Sequence, residues 1–267
     1  MRSGLDEIEA KLATFTPISL DEMASVRLMN RTDTKYVIRL DELPALLTQA
    51  QGGYMAQETD GKRLMAYKTT YYDTSDWQTL RAHTTGRRTR EKIRVRRYAS
   101  GLTFIEVKRK SKGRTKKSRM ATTLRRDGQM TAEAKDFIDS HSRYPSASLS
   151  SALGNTFRRI TLVNNEKTER LTIDLTIAVE NLRNGMCASL PNAVVVEVKR
   201  DGRKASRMVD WLRSRGVRPC GFSKYAYGAL MTDHTLHMGK MKPKMRRLIR
   251  LGLMPEPLWW RTHWDAA

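Results

Sequence analysis

The chain has 267 residues, of which 39% are hydrophobic, enough for a large buried core and too many for a disordered chain. Fifty Lys and Arg against 28 Asp and Glu leave a net charge of +22, which selects an anionic partner: nucleic acid, a phosphate-rich molecule or polymer, or a membrane surface. No apolar run approaches the roughly 18 residues of a spanning helix, and the acidic start Met1-Arg-Ser-Gly-Leu-Asp-Glu-Ile-Glu-Ala lacks a signal peptide's apolar stretch.

In chain order, Leu5 to Phe15 and Leu20 to Leu28 show helical spacing of apolar residues, with Ser19 and the acids after it as a cap signal. Asp41 to Gln51 reads as a further helix, with Pro44 tolerated in its first turn. Alternating runs predict strands over Arg31 to Leu40, Lys62 to Asp73, Lys92 to Tyr98 and Thr103 to Lys110. Four more follow at Arg119 to Leu124, Thr156 to Leu162, Arg170 to Ile177 and Ala193 to Lys199. Turn signals such as Ser100-Gly101, Asn164-Asn165 and Pro191-Asn192 separate them. Helices are predicted over Thr131 to Ser140, Ser206 to Arg215 and Ser223 to Thr232. No repeat or long linker divides the chain, so the expectation is one α+β domain with helical additions. Its parts are N-terminal helices over 1–30 packed on the sheet, a main domain over 31–232 and an extension over 233–267. Cys187 and Cys220 are too few for a disulfide framework or a four-thiolate zinc site, and fit a reducing, cytoplasmic setting.

The charge is concentrated. Between Arg81 and Arg126 there are eighteen basic and two acidic residues, interleaved with Ile93, Val95, Phe104, Ile105 and Val107. Since side chains alternate across a strand, Arg94, Arg96 and Tyr98 share one face against Ile93 and Val95. Glu106, Lys108 and Lys110 likewise oppose Ile105 and Val107; Arg170, Thr172 and Asp174 oppose Leu171, Ile173 and Leu175. Glu197 and Lys199 oppose Val194, Val196 and Val198, while Arg31, Asp33 and Lys35 oppose Tyr36, Ile38 and Leu40. An ordinary sheet with one wet face is the simplest reading of any single strand. Repetition of cationic faces argues against it, because like charges on neighbouring strands repel unless a ligand holds them. An antiparallel eight-stranded barrel with flanking helices would turn those faces around a cationic tunnel.

Eight short motifs occur in a telling order: Asp33-Thr-Lys35-Tyr36, Tyr71-Tyr-Asp73-Thr74, Lys92-Ile-Arg94-Val-Arg96-Arg-Tyr98, Phe104-Ile-Glu106-Val-Lys108, Lys117-Ser-Arg119, Arg170-Leu-Thr-Ile-Asp174, Val196-Glu197-Val-Lys199 and Phe222-Ser223-Lys224-Tyr225. From about Arg31 to Leu230 the chain resembles the VTC domain, the polyphosphate polymerase branch of the triphosphate tunnel metalloenzymes. The resemblance implies a tunnel in which the γ-phosphate of ATP passes to a growing polyphosphate chain, with Mn²⁺ or Mg²⁺ as cofactor. It implies phosphate ligands at Lys35, Arg94, Arg96, Lys108, Lys117, Arg119, Arg159, Arg170, Ser223 and Lys224, and a metal ligand at Glu197. Three departures stand out: Phe157 where the polymerases usually carry tyrosine, Gly221 where eukaryotic ones carry lysine, and Arg31-Thr-Asp33-Thr-Lys35 in place of Glu-x-Glu-x-Lys. The eukaryotic regulatory SPX domain and membrane-spanning region have no counterpart in this sequence.

The same tunnel with water as acceptor would be a triphosphatase or tripolyphosphatase; a third reading is a non-catalytic binder of polyphosphate or another polyanion. Specific nucleic-acid binding is disfavoured, because only 7% of residues are aromatic and no stacking platform or recognition helix is evident. No Gly-x-x-x-x-Gly-Lys-Ser/Thr loop occurs around Gly86, Gly113 or elsewhere, which excludes a P-loop. His234 and His237 read as surface histidines. In the tail, Met241, Met245, Leu248, Ile249 and Leu253 recur at helical spacing among Lys242, Lys244, Arg246, Arg247 and Arg250, before Trp259, Trp260 and Trp264. Such a helix suits peripheral contact with an anionic membrane; docking of its apolar side on the barrel is the favoured alternative.

Overall fold

The computed structural model describes residues 2–24, 31–123, 129–202 and 204–257. Helix α1 (Arg2–Ala13), strand β1 (Pro17–Ile18) and helix α2 (Leu20–Ala24) lead into β2 (Arg31–Arg39). Then come α3 (Leu43–Ala50), β3 (Tyr54–Gln57), β4 (Met65–Asp73), α4 (Gln78–Thr84), and the meander β5 (Arg90–Tyr98), β6 (Thr103–Ser111) and β7 (Arg114–Ala121). Helix α5 (Ala132–His141) precedes the long strands β8 (Ser150–Asn164) and β9 (Glu169–Asn181), then β10 (Cys187–Leu190) and β11 (Ala193–Asp201). Helices α6 (Arg207–Ser214), α7 (Lys224–Thr232) and α8 (Lys242–Arg250) complete the order.

Eight strands form one antiparallel path, β2-β11-β9-β8-β4-β5-β6-β7; the short β1, β3 and β10 attach at its margins, β1 parallel to β3. The expected eight-stranded antiparallel sheet with flanking helices is therefore present. Among the described residues no ladder joins the end strands β2 and β7, so the sheet is a curled half-barrel. Its curl is evident electrostatically: Lys108 on β6 lies within reach of Glu197 on β11 and of Lys35 and Asp33 on β2.

The convex face follows from alternation. Tyr36, Ile38, Val194, Val196, Val198 and Ile173 point outward, and Ile8 and Leu12 of α1, Leu46 and Leu47 of α3, and Met208 and Leu212 of α6 cover them. On the other wing Ala134 and Ile138 of α5 cover Ile93, Val95, Ile105 and Val107. Burial of each large apolar side chain stabilises the fold by about 1.5–3 kcal/mol before ordering entropy is subtracted.

The concave face has two halves. In one, Tyr71, Leu153, Ile177, Val195 and Val37 meet Tyr225, Ala226 and Leu230 of α7 and Met245 and Leu248 of α8. Helix α7 lies close: a Cβ on Gly228 would come 2.9 Å from side-chain carbons of Leu153 and Val179, so only glycine allows this approach. The other half is polar. Strand β9 passes between them at a bulge, where the register with β8 shifts and Thr176 takes a left-handed φ of 52°. Before the bulge Arg170, Thr172 and Asp174 face inward; after it the inward residues are Ile177 and Val179, of opposite parity. At the far margin, Ile18 and Met23 pack on Met55 and Val163, the latter in phase with Arg159 and Thr161.

Candidate functional site

Three carboxylates organise the polar half of the concave face, each clamped by cations from neighbouring strands. Asp174 on β9 is 4% exposed. Arg159 on the facing β8 grips it bidentately, Nε to Oδ1 at 2.5 Å and Nη2 to Oδ2 at 2.8 Å, and Lys224 of α7 donates to the same Oδ2. Glu106 on β6 is fully buried; Arg94 on β5 reaches its Oε2 at 2.6 Å and Lys117 on β7 its Oε1 at 2.5 Å. Glu197 on β11 accepts from Lys35 on β2, pairs with Lys199 at 3.1 Å and accepts from Thr172 at 3.4 Å.

Burial alone would raise these carboxyl pKa values, but neighbouring cations outweigh it. Arg94, Arg96 and Lys117 bring Glu106 down to about 2. Arg159 and Lys224 hold Asp174, and Lys199 and Lys35 hold Glu197, well below the usual carboxylate range. The cations pay the reciprocal cost of crowding. Burial, against the pull of Asp174, brings Lys224 down to about 8, and Lys199 also falls to about 8, mainly from burial with Arg159 and Arg170 adding to it. Burial and then Lys108, Arg94 and Lys35 lower Lys92 well below the ordinary lysine value.

Aromatic rings support the cations from beneath. Tyr67 stacks on Phe157, with centroids 5.2 Å apart, and Arg159 lies 5.2 Å and Arg96 5.9 Å from the Tyr67 centroid. Lys224 Nζ sits 4.1 Å from the Phe157 centroid, and Arg119 stands 5.1 Å from that of Phe104. Position 157, the departure from tyrosine, is thus a ring platform under two cations. Cation–π contacts of this kind are worth about 0.5–2 kcal/mol and restrict the forks to few orientations.

Each residue singled out from the sequence has a place here. Lys35, Arg94, Arg96, Lys108, Lys117, Arg119, Arg159, Arg170 and Glu197 lie on strands with the concave-face phase. Ser223 and Lys224 open α7 at the boundary between the two halves: Ser223 Oγ accepts from Ala226 N at 3.2 Å as a cap and from Lys92 Nζ at 2.9 Å. Arg97, of opposite phase to Arg96, is exposed, whereas Arg96 is 9% exposed.

Four members of the cluster, Lys92, Lys199, Asp174 and Glu106, stood in the sequence motifs without an assigned role, and His83 on α4 gave no signal. Burial and then Lys92, Arg90 and Lys108 bring His83 down to about 2, so it is neutral at working pH. The Tyr71-Tyr-Asp73-Thr74 motif has a structural task. Asp73, fully buried, accepts from Thr74 N at 2.9 Å, Thr79 N at 2.8 Å and Leu80 N at 2.9 Å, and from the Tyr225 hydroxyl. It thereby fixes the start of α4 and ties it to α7.

Among the described residues no three His, Cys, Asp or Glu side chains cluster as a metal site made by protein alone. A hard divalent cation does not need one, since Mg²⁺-type sites commonly combine one or two carboxylates with substrate phosphates and water. Glu197, a hard oxygen donor among phosphate-competent cations, fits that pattern. Cys187 and Cys220 are free thiols, and no helix among the described residues is long and apolar enough to cross a membrane.

Fold and site together define a half-barrel whose concave face is cationic, braced by aromatic rings and organised by three carboxylates. The chain belongs to the VTC domain family, whose model matches residues 30–232. No curated protein matches the chain. Among solved structures, a Bacillus halodurans protein provisionally assigned as an adenylate cyclase is similar at 13% identity and a TM-score of 0.47, over 73% of this chain and 96% of that one. A Vibrio parahaemolyticus protein with the same provisional assignment gives 11% identity and a TM-score of 0.45, over 74% and 96%. A Hippeastrum protein, provisionally an adenylyl cyclase and reported with a dominant triphosphatase activity, gives 14% and 0.42, over 76% and 97%.

Proposed function

We propose that the protein is a metal-dependent polyphosphate polymerase that transfers the γ-phosphate of ATP to an inorganic polyphosphate chain held in the concave face. The observation that carries this reading is the convergence of Lys35, Arg94, Arg96, Lys117, Arg159 and Lys224 on three carboxylates, Glu106 and Asp174 buried and Glu197 half-buried. Phosphoryl transfer asks a protein for positioning and charge neutralisation rather than a nucleophile. Arginine forks on Arg94, Arg96 and Arg159 would take phosphate oxygens bidentately; Lys35, Lys108, Lys117 and Lys224 would act as point charges that follow the moving group. Glu197, together with phosphate oxygens, would hold Mn²⁺ or Mg²⁺, exchanging Lys35 and Lys199 for the ion. When bound, the ion supplies a template and Lewis-acid polarisation of the transferred group. The attacking oxygen belongs to the acceptor phosphate. Glu106 and Asp174 are occupied as counter-ions, which favours a phosphate acceptor over a carboxylate-oriented water.

Purified protein incubated with Mn²⁺ and γ-labelled ATP tests the assignment. Labelled polymer on a gel is the expected product. Free phosphate alone would make the protein a triphosphatase, and absence of turnover a polyanion binder.

A further inference from the structure

Five arginines outside the concave face are gathered at a second place. A cavity of about 450 Å³ opens between the end of β2, the loop after α6, and α8. Its floor is apolar, made by Val37, Ile38, Val217, Leu248 and Leu253. Its rim carries Arg39, Arg215, Arg218, Arg247 and Arg250, contributed by three separate segments. Glu42 is the one carboxylate lining it, and its Oε2 already accepts from the Arg39 amide at 3.0 Å. None of the cations of the concave face lines this hollow. The segment before α7 walls it off: the Cys220 amide donates to the Lys35 carbonyl at 2.8 Å, covering the free edge of β2.

Size, floor and rim restrict the occupant. Small-molecule sites run to about 300–1,000 Å³ and combine apolar walls with a few placed polar groups. Arg39 is already paired with Asp41, but the like charges of the other rim arginines repel, and the arrangement becomes favourable when an anion enters. Arginine, with no lysine on the rim, suits planar, bidentate recognition of phosphate and stacking on flat rings. Inorganic polyphosphate has no apolar face to cover Val217, Leu248 and Leu253. Helix α8 supplies both elements, Leu248 to the floor and Arg247 and Arg250 to the rim.

We propose that this pocket is a second ligand site, separate from the polar half of the concave face, that binds a nucleoside phosphate with its base on the apolar floor and its phosphates on the arginine rim. The proposal does not rest on the polymerase reading. Equilibrium dialysis of the full-length protein with radiolabelled ADP, in buffer with a metal chelator, tests it. Three proteins are compared: the native chain, Arg218→Ala/Arg247→Ala, and Arg94→Ala/Arg96→Ala on the concave face.

The pocket variant should lose one equivalent of bound ADP, and the concave-face variant should keep that equivalent. Arg218→Lys/Arg247→Lys, which preserves charge and solvation, should weaken the site roughly tenfold, so that a loss of folding is not mistaken for a loss of binding. Pyrophosphate should compete at the pocket at least tenfold more weakly than ADP. Unchanged stoichiometry and affinity in both pocket variants overturn the proposal, as does loss of all ADP in the concave-face variant. Equal competition by pyrophosphate would show that the rim takes any phosphate and the floor takes no base. If the native chain binds one ADP and the pocket variant none, the pocket stands and the tunnel reading loses its nucleotide.

Discussion

Replacing Asp174 by Asn separates the counter-ion role of the lumen carboxylates from a merely structural one. Asp174 is 4% exposed and neutralises both Arg159, through two hydrogen bonds, and Lys224. The isosteric amide keeps the volume but leaves two largely buried cations without their anion, and breaking a buried ion pair in this way costs about 3–5 kcal/mol. At about 2–4 °C per kcal/mol for a chain of this size, melting should fall by about 6–20 °C.

The deficit should depend on pH. Lys224 titrates at about 8 in the folded protein, below its ordinary lysine value, because burial outweighs the pull of Asp174. The folded state therefore binds fewer protons than the unfolded one between those values, and stability from this group rises with pH across that window. Removing Asp174 lowers the Lys224 pKa further, so the variant should be weakest near pH 6 and recover toward pH 9. Under the proposed function, tripolyphosphate supplies the missing anion, and its saturating addition should raise the melting temperature of the variant more than that of the native protein. Thermal and urea unfolding of both proteins, with and without tripolyphosphate at both pH values, give the comparison. A ligand-free deficit under about 1 kcal/mol, or one that tripolyphosphate leaves undiminished, would refute the counter-ion argument.

Glu197→Gln should abolish metal-dependent turnover while tripolyphosphate binding by calorimetry holds or tightens, since Lys35 and Lys199 are released; full activity would remove Glu197 from the metal role. Arg96→Lys should weaken phosphate binding by about 1–3 kcal/mol through loss of the fork, whereas Arg97→Lys on the opposite face should change it little; equal effects in a titration would contradict the strand phase. A chain ending at Gly239 gives up the buried Met241, Met245, Leu248, Leu253 and Met254. Its melting temperature should drop, and unchanged melting with loss of sedimentation on anionic vesicles would reassign the tail to lipid.

The strand pattern was legible wherever alternation was strong. β2, β5, β6 and β11 lie close to their predicted spans because each sets β-branched or aromatic residues against charges. Strand β7 begins at Arg114, earlier than Arg119, because Arg-Thr-Lys-Lys-Ser-Arg has no apolar partner to mark its phase and is held by pairing with β6. Helix α4 gave no signal: Trp77, the residue before it, is left-handed, and amides of its first turn are satisfied by Asp73 from outside. The predicted helix from Leu20 is described as far as Ala24, and its continuation to Leu28 lies outside the described residues, as do Trp259, Trp260 and Trp264. Cationic positions could be read from strand phase, but their partners could not. Which carboxylate neutralises which arginine depends on the register between β8 and β9 and on α7 reaching across, both long-range facts.

The bulge at Thr176 makes the extent of the charged compartment a question of backbone phase. On β9 the inward polar side chains run from Arg170 to Asp174, about 13 Å of strand, and stop where the left-handed residue exchanges odd for even positions. Basic residues added beyond that point in the same alternation would emerge on the convex side, where Glu180 is exposed, and would lengthen nothing. Deleting Thr176 would remove the bulge and leave Ile177 and Val179 facing α7, whereas deleting Ala178 would send Val179 and the residues after it to the opposite face. Single-residue insertions and deletions that break this phase should therefore be far more harmful than substitutions. Under the proposed function, the length of anion that the face can grip is set by where one residue turns over, and a count of lysines and arginines does not contain it.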